Sequence, residues 1–287
     1  MVQARLTILL AGLCLLASSC AVPKESIKTD RFSYLWEKAM MTGSRTGVTA
    51  VVGSGVQKAL GRVSADGSYT SPSGRSYAPG TSTALAAAAL ISYQDTMAPL
   101  REVIGHSAEE MPRGGINCAL YAWTADALKL GVESELGCEV DAAVMNKGGI
   151  RVDMPAGDVT VDDISSMFPF LNYLTYVEVP GTEMRKLLQF FAAGNFQAIS
   201  GIEMRVKDGS LVEATIGGRP LDDADWYRIA TVDYLLDGGD HICLARNSRK
   251  LVISKHRMLD WMKKYVASLE EQGKVIECKD FTRVIEL

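Results

Sequence analysis

The stretch 146–172 constrains the fold most, because a buried apolar run leads there into two adjacent glycines. The run 142–145, Ala-Ala-Val-Met, has the composition of a buried strand. Gly148 and Gly149 let the backbone turn sharply and bring its N–H groups close to a ligand. Arg151 follows them and can hold an anion through its planar guanidinium. The same residues also fit an ordinary strand-to-loop turn with a solvated arginine, so both interpretations stay open for this motif.

Length and charge bound the classes of function. The chain has 287 residues, which suits one large or two small domains and is enough to bury a sizeable core. Hydrophobic residues make up 47% and charged residues 22%, the usual balance of a folded globular protein. The net charge of -4 is spread along the chain without a basic stripe. Nucleic acid is therefore not an expected partner.

Residues 1–19 have the pattern of a lipoprotein signal peptide. Arg5 gives a positive start, and the apolar run 6–17 is too short for an ordinary transmembrane helix. Small residues then lead into Cys20, which is similar to a bacterial lipoprotein signal and predicts lipidation of Cys20. A plain secretory signal, with Cys20 incidental, is the alternative. We expect a protein of the bacterial cell envelope, facing the periplasm or on the outer membrane, that meets the membrane through its lipid anchor only.

Apart from Cys14 in the predicted signal peptide and Cys20, the chain has four cysteines, which do not have the spacing of a zinc or thioredoxin-like motif. An oxidising periplasm permits disulfides, and four cysteines allow three full pairings. Buried free thiols are the alternative, and the sequence does not choose between them. The four residues are Cys118, Cys138, Cys243 and Cys278.

Periodicity and turn residues predict helices mixed with strands. Helices are expected over 82–97, 118–130, 182–193 and 257–272, and strands over 102–107, 140–145, 174–179, 227–236 and 281–285. Leu120 and Leu130 have core spacing in the second of these helices, and Thr182 is the expected cap of the third. The run 202–216 predicts a hairpin turning at Asp208 and Gly209. Because helices and strands do not alternate strictly, we predict an α+β fold, a mixed sheet with packed helices.

We divide the chain after the signal peptide into two parts. Residues 20–80 are predicted to be a tether and an N-terminal extension. Within it, 46–65 and the turn that follows indicate a hairpin, and 68–80 indicates a Ser/Gly/Pro loop. Residues 81–287 are predicted to form the main domain.

Two further segments carry candidate binding residues. In Phe168-Pro169-Phe170 the proline favours an extended corner, which can present Phe170 to a flat ligand such as a nucleobase, with Asn172 on its polar edge. Core positions for both phenylalanines are the alternative. Farther along, Tyr234 precedes the glycine loop that ends at Asp240, where a ring and a carboxylate suit a base and a ribose diol. A generic turn is the alternative there.

The order of these segments resembles the C-terminal domain of the 5'-nucleotidase family, which includes the periplasmic UDP-sugar hydrolases. The resemblance runs from about residue 83 to the C-terminus. It is carried by segments spread along that region, namely EVIGHS (102–107), Ala125-Asp126-Ala127, VMNKGGIR (144–151), GDVTVDDISSMFPFLN (157–172), VEVPGTEMRKLL (177–188), Ser200-Gly201 and YRIATVDYLLDGGD (227–240).

The resemblance implies a nucleoside-binding domain with specific residue roles. Phe170 and Tyr234 would sandwich the base, and Asn172 would contact its polar edge. Asp240 would bind ribose hydroxyls, while Asn146 and Arg151 would help to hold ribose and phosphate. Arg113 lies out of register with an arginine that the family often has upstream. The full set of expected substrate-binding residues is Asn146, Gly148, Gly149, Arg151, Phe170, Asn172, Tyr234, Gly239 and Asp240.

In that family a separate N-terminal domain carries a two-metal phosphoesterase centre. Such a centre needs closely spaced His, Asp and Asn ligands. The histidines of this chain, His106, His241 and His256, stand outside any DxH, GDxxD or GNHE-like setting. We therefore predict no catalytic residue, no metal ligand and no cofactor on this chain. Divalent metal is expected on a partner, a separate metallophosphoesterase chain.

Three functions follow as hypotheses. The chain would be the nucleotide- or nucleoside-recognising half of a split phosphohydrolase. Alternatively, it would be a stand-alone nucleoside-binding lipoprotein that delivers its ligand to a transporter. In a third case it would be a degenerate domain kept as a structural adaptor, and it would then bind no nucleoside.

Overall fold

The computed structural model describes residues 60–287, whose strands form four sheets. The strands are β1 Arg62–Val63, β2 Tyr69–Thr70, β3 Ser76–Tyr77, β4 Val103–Ser107, β5 Ala142–Met145, β6 Gly157–Thr160, β7 Tyr173–Pro180, β8 Ala198–Ser200, β9 Ile202–Lys207, β10 Ser210–Ile216, β11 Arg219–Pro220, β12 Trp226–Val232, β13 Lys250–Arg257 and β14 Val284–Glu286. The α-helices are α1 Ser82–Ser92, α2 Gln94–Met97, α3 Ala119–Leu136, α4 Val161–Met167, α5 Gly181–Phe190 and α6 Met258–Glu271.

A five-stranded mixed sheet lies at the centre, in the order β13-β7-β12-β5-β8. Strand β5 runs parallel to β12, with Ala142 opposite Ile229, whereas β7 runs antiparallel to β12, with Leu174 opposite Val232. The side chains of β5 are buried, as the apolar run predicts. Mixed sheets with helices packed on them confirm the predicted α+β class.

Helix α3 packs against this sheet and also against helix α6. Leu120 and Leu128 are fully buried, while Leu130 is 44% exposed, so the prediction of Leu130 as a core residue is wrong. The helix continues to Leu136, and Gly131 then falls on the inner face. A Cβ on Gly131 would lie 2.6 Å from the indole nitrogen of Trp261, so glycine is required for helix α6 to approach this closely.

A second sheet, β11-β10-β9-β14, carries the predicted hairpin. Strands β9 and β10 pair antiparallel, and the turn residues Asp208 and Gly209 both have positive φ, as a tight hairpin turn requires. The C-terminal strand β14 pairs parallel to β9. The amide of Asn117 fastens β14 by donating to the Val284 carbonyl (2.8 Å) and accepting from the Val284 amide (3.0 Å).

Two predicted boundaries are wrong. The strand predicted over 227–236 ends at Val232, and a 3₁₀ turn, Asp233–Leu235, follows it. Thr182 does not cap α5, because that helix already begins at Gly181. A Cβ on Gly181 would lie 1.8 Å from the carbonyl oxygen of Asp222, so this glycine is needed for a close backbone contact.

The N-terminal part of the described chain forms a small unit of its own. Strands β1–β3 make a three-stranded sheet on which α1 packs, around a small core of Tyr69, Ala84 and Ala87. The predicted loop 68–80 is therefore wrong, since β2 and β3 lie within it. The turn at 65–67 does join two paired strands, β1 and β2. The signal peptide, Cys20 and the run 47–52 lie outside the described residues.

Two properties of the described chain bear on the envelope and thiol predictions. Within residues 60–287, none of the helices combines the length and the apolar character needed to cross a bilayer. No disulfide joins the four cysteines of this range, which agrees with the free-thiol alternative. Burial raises the pKa of the Cys278 thiol to about 11, which keeps it protonated and unreactive.

His106 links β4 to its neighbours through two carboxylates. Its Nε2 lies 2.9 Å from Asp158 Oδ1 on β6, and its Nδ1 lies 2.8 Å from Glu270 Oε2 on α6. The hydrogen bond with Glu270 comes first among the causes that raise the pKa of His106. Since the folded-state pKa lies above the unfolded one, the stabilisation is complete below the unfolded pKa and is lost as the pH rises through the folded pKa.

We therefore predict that His106→Gln lowers the unfolding midpoint more at about pH 6 than at about pH 9. Urea unfolding of the wild type and the variant at both pH values would measure this difference. The same difference at both pH values would contradict a charged link at His106.

Candidate nucleoside-binding pocket

Three loops meet at one edge of the central sheet because of the strand directions. Strands β5 and β12 are parallel, so the loops after Met145 and Val232 leave the sheet on the same side. Strand β7 is antiparallel to β12, so its first residue, Tyr173, lies at that side too. Loops at the carboxyl ends of neighbouring strands are where ligands bind in open sheets. The segments 146–151, 170–172 and 233–241 are thus brought together.

The loop after β5 is a tight 3₁₀ turn, Lys147–Gly149. The Gly149 amide donates to the Asn146 carbonyl at 3.0 Å, and the Arg151 amide donates to the Met167 carbonyl at 2.9 Å. A Cβ on Gly149 would lie 3.0 Å from Asn146 Oδ1, so glycine leaves room for the Asn146 side chain. Arg151 donates from Nη1 to the carbonyl of Gly148 at 3.0 Å, which fixes the guanidinium at the loop.

The second wall follows helix α4. A capping box between Thr160 and Asp163 starts this helix, whose last residue, Met167, is fully buried. The two phenylalanines then have different environments. Phe168 is in the core at 2% exposed, as the alternative interpretation expected, whereas Phe170 is half-buried and lines a cavity.

The third wall is the loop after β12. Tyr234 lies on the 3₁₀ turn, and its hydroxyl donates to Asp240 Oδ1 at 3.0 Å. Burial, followed by that hydrogen bond, raises the pKa of Tyr234, so the hydroxyl remains a donor. Asp240 has a left-handed backbone, with φ 48°. A Cβ on Gly239 would lie 2.1 Å from the Tyr234 carbonyl oxygen, so this loop folds tightly against itself.

These walls enclose a cavity of ≈ 220 Å³. Seven of the nine predicted substrate-binding residues line it, namely Asn146, Gly148, Arg151, Phe170, Asn172, Tyr234 and Asp240. Gly149 and Gly239 do not line the cavity. Because they have no side chain, they leave room for Asn146 and Tyr234, respectively. Asp240 Oδ2 lies 3.9 Å from the position that a Cβ on Gly148 would occupy, so the first and third walls nearly meet.

Two amide oxygens in the pocket are unsatisfied. Asn146 Oδ1 and Asn172 Oδ1 are buried, and neither accepts a hydrogen bond from any residue of the described chain. Asn172 is held by its backbone, whose carbonyl accepts from the Met258 amide at 2.8 Å. Buried polar atoms without partners are rare, and both of these belong to residues that line the cavity.

Two contacts around the pocket were not foreseen from the sequence. Asp233 is buried, and its Oδ1 accepts from the Tyr173 amide at 3.0 Å, which ties the start of β7 to the end of β12. Lys147 turns away from the cavity and donates to the Gly115 carbonyl at 3.1 Å. A buried aspartate directly after an apolar strand is a signal for the first contact. The contact between Lys147 and Gly115 joins residues that lie far apart in the chain, so no local sequence pattern predicts it.

Two other features of the described chain, a groove against α1 and the surroundings of His106 and His256, bring together fewer polar and charged side chains than this cavity. The groove has a volume of ≈ 490 Å³, but its lining includes no charged side chain. Among residues 60–287, no group of three or more His, Cys, Asp or Glu side chains is arranged to hold a metal ion. His256 lies 3.2 Å from Glu135, and His106 lies between its two carboxylates.

Comparison with known families gives the class of protein that this fold and pocket define. The family model described as "5'-nucleotidase, C-terminal domain" matches residues 103–246, about half of the chain. The chain therefore belongs to the 5'-nucleotidase C-terminal domain family. The match contains all nine predicted substrate-binding residues.

Curated relatives match over part of their length. A 5'-nucleotidase of Vibrio vulnificus (strain CMCP6) is 36% identical over 107 residues, which are 36% of this chain and 19% of that protein. Protein UshA of Escherichia coli (strain K12) is 34% identical over 105 residues, covering 35% of this chain and 19% of UshA. The chain thus spans about a fifth of the length of these relatives.

Solved structures share the fold. A 5'-nucleotidase precursor from Thermus thermophilus superposes with a TM-score of 0.60 at 22% identity, covering 73% of this chain and 44% of that one. The NAD nucleotidase of Haemophilus influenzae superposes with a TM-score of 0.53 at 17% identity, covering 77% of this chain and 48% of that one.

Proposed function

We propose that this chain recognises the nucleoside part of a nucleotide or nucleoside. The observation that carries the proposal is the cavity between Phe170 and Tyr234, in which aromatic rings, amides and a carboxylate converge from three loops. A flat base presents a face to aromatic rings and donors to the unsatisfied oxygens of Asn146 and Asn172. The diol of a ribose suits the carboxylate of Asp240.

We further propose that this chain is the substrate-binding half of a split phosphohydrolase. The family relation supports a role in nucleotide hydrolysis, since the named relatives are 5'-nucleotidases. The proposal that substrate binding and phosphate cleavage lie on separate chains is supported by His106, His241 and His256, which stand outside two-metal ligand motifs. A metallophosphoesterase chain would bring the divalent metal and the groups that cleave the phosphate ester.

Calorimetry and a phosphatase assay on the full chain test the two parts of the proposal separately. We expect heat of binding with nucleosides, but no release of phosphate from a nucleoside monophosphate when the chain is supplied with Mg²⁺, Mn²⁺ or Zn²⁺. Turnover that persists through further purification would contradict the split-enzyme part.

A pull-down from the native envelope then separates the remaining hypotheses. Recovery of a metallophosphoesterase with the tagged chain supports the split enzyme. Nucleoside binding with no such partner favours the stand-alone binder, and absence of nucleoside binding favours the structural adaptor.

A further inference from the structure

The charges that line the pocket cancel. Among residues 60–287, its lining contains one cation, Arg151, and one carboxylate, Asp240. Arg151 already uses Nη1 on the Gly148 carbonyl, and Asp240 already accepts from Tyr234. A phosphate dianion in this cavity would meet the Arg151 guanidinium, one of whose N–H groups is already used, and would also be repelled by the Asp240 carboxylate.

Two further cations, Lys147 in the loop after β5 and Arg113, are engaged elsewhere. The Lys147 ammonium donates to the Gly115 carbonyl and lies 5.3 Å from the ring centroid of Tyr121 and 6.0 Å from that of Phe196. Burial lowers the pKa of Lys147 from its ordinary value. Arg113 donates from Nε to Asp153 Oδ1 at 2.8 Å, and its backbone amide donates to the same oxygen at 3.0 Å. Neither Lys147 nor Arg113 lines the cavity.

We infer that this chain selects the neutral nucleoside part of its ligand and gains little affinity from a 5'-phosphate. Its ligand class is a nucleoside, or the nucleoside end of a larger ester whose phosphate is held by other groups. The inference rests on the proposed nucleoside site and specifies its charge preference. Aromatic faces and amides provide the affinity, since neither depends on ligand charge. A phosphate gains most where it makes charge-assisted hydrogen bonds to a cation.

Calorimetry with matched ligand pairs tests this on the full chain. The probes are adenosine with adenosine 5'-monophosphate, and uridine with uridine 5'-monophosphate. Within the pair that binds, we expect dissociation constants within about threefold of each other. Raising NaCl from about 20 mM to about 500 mM should change the monophosphate affinity less than about twofold, since screening weakens only binding that depends on charge pairing.

Three variants test the assignment of charge. Phe170→Ala should weaken both members of a pair equally, which shows that both occupy this pocket. Lys147→Met, which keeps an unbranched apolar stem, should leave the ratio of the two affinities within about twofold. Asp240→Asn should move the ratio toward the monophosphate by roughly threefold to tenfold, because it removes the like charge.

Each contrary result has a distinct meaning. A monophosphate that binds more than about tenfold tighter than its nucleoside, with strong salt dependence, overturns the inference while the nucleoside site stands. A selective loss of monophosphate binding in Lys147→Met also overturns the inference. An unchanged ratio of nucleoside to monophosphate affinity in Asp240→Asn does the same. If neither member of either pair binds, the proposed function is overturned, and the inference with it.

Discussion

Replacement of Phe170 by alanine is expected to weaken nucleoside binding by roughly 5- to 150-fold. The basis is the stacking of a base on an aromatic side chain, which contributes about 1–3 kcal/mol per base. Phe170 is half-buried and lines the cavity, whereas Phe168, two residues earlier, is in the core. Truncation at 170 should therefore remove ligand contact and leave most of the core packing intact. Isothermal titration calorimetry of the variant against the wild type measures the effect.

A ring far from the pocket supplies the control. Tyr93 is 64% exposed, between α1 and α2, so Tyr93→Ala removes an aromatic ring without touching the cavity. Its nucleoside affinity should equal that of the wild type, and thermal unfolding of both variants shows that each is folded. An affinity of Phe170→Ala within about twofold of the wild type would argue against stacking at this position and favour the structural adaptor.

Gly239→Ala should cost both stability and binding. The added Cβ would lie 2.1 Å from the Tyr234 carbonyl oxygen and 2.8 Å from carbons of its ring, and the carbonyl belongs to a backbone that cannot rotate away. Overpacking typically costs about 1–3 kcal/mol, and a clash with backbone belongs at the upper end, about 3 kcal/mol. For a domain of this size the unfolding temperature should fall by about 6–12 °C. Tyr234 and Asp240 would shift with the loop, so nucleoside affinity should fall more than about tenfold.

Gly148 provides a matched comparison in the same pocket. A Cβ there would meet its nearest atoms, Asn146 Nδ2 and Asp240 Oδ2, only at 3.9 Å, an ordinary contact distance. Gly148→Ala should therefore change the free energy of unfolding by less than about 0.5 kcal/mol. Differential scanning calorimetry of the two variants side by side checks the contrast. Equal losses of stability would show that the Tyr234–Gly239 contact is not as close as the structure places it.

Local patterns in the sequence predicted several elements of this structure correctly, because the conformation of those elements is decided by residues close together along the chain. The apolar run before Asn146 is a buried strand, and the hairpin turn at Asp208 and Gly209 follows from backbone preferences alone. The predictions failed where a distant partner decides the outcome. Leu130 has helical core spacing, yet the inner face of α3 at that level is occupied by Gly131 against Trp261.

The same distinction holds within the pocket. Residue identities and order along the chain allowed the family resemblance and the nine candidate binding residues to be stated from sequence. The direction of the Lys147 side chain could not be anticipated, since it depends on tertiary contacts. Lys147 stands between two lining residues, Asn146 and Gly148, but its ammonium lies with Gly115 and Tyr121 instead. Side-chain direction in an irregular loop is set by tertiary contacts, which the local sequence does not encode.

The unsatisfied amide oxygens of Asn146 and Asn172 have a consequence for the lifetime of the protein. These two buried acceptors have no partner in the described chain, and a hydrogen bond left unmade costs stability. A ligand that donates to both removes this cost and binds only the folded chain, so it lowers the fraction of molecules that open. Proteases cut the opened form, and their action slows as that form becomes rarer. Such a ligand should therefore slow proteolysis of the chain, which limited digestion with and without nucleoside would measure.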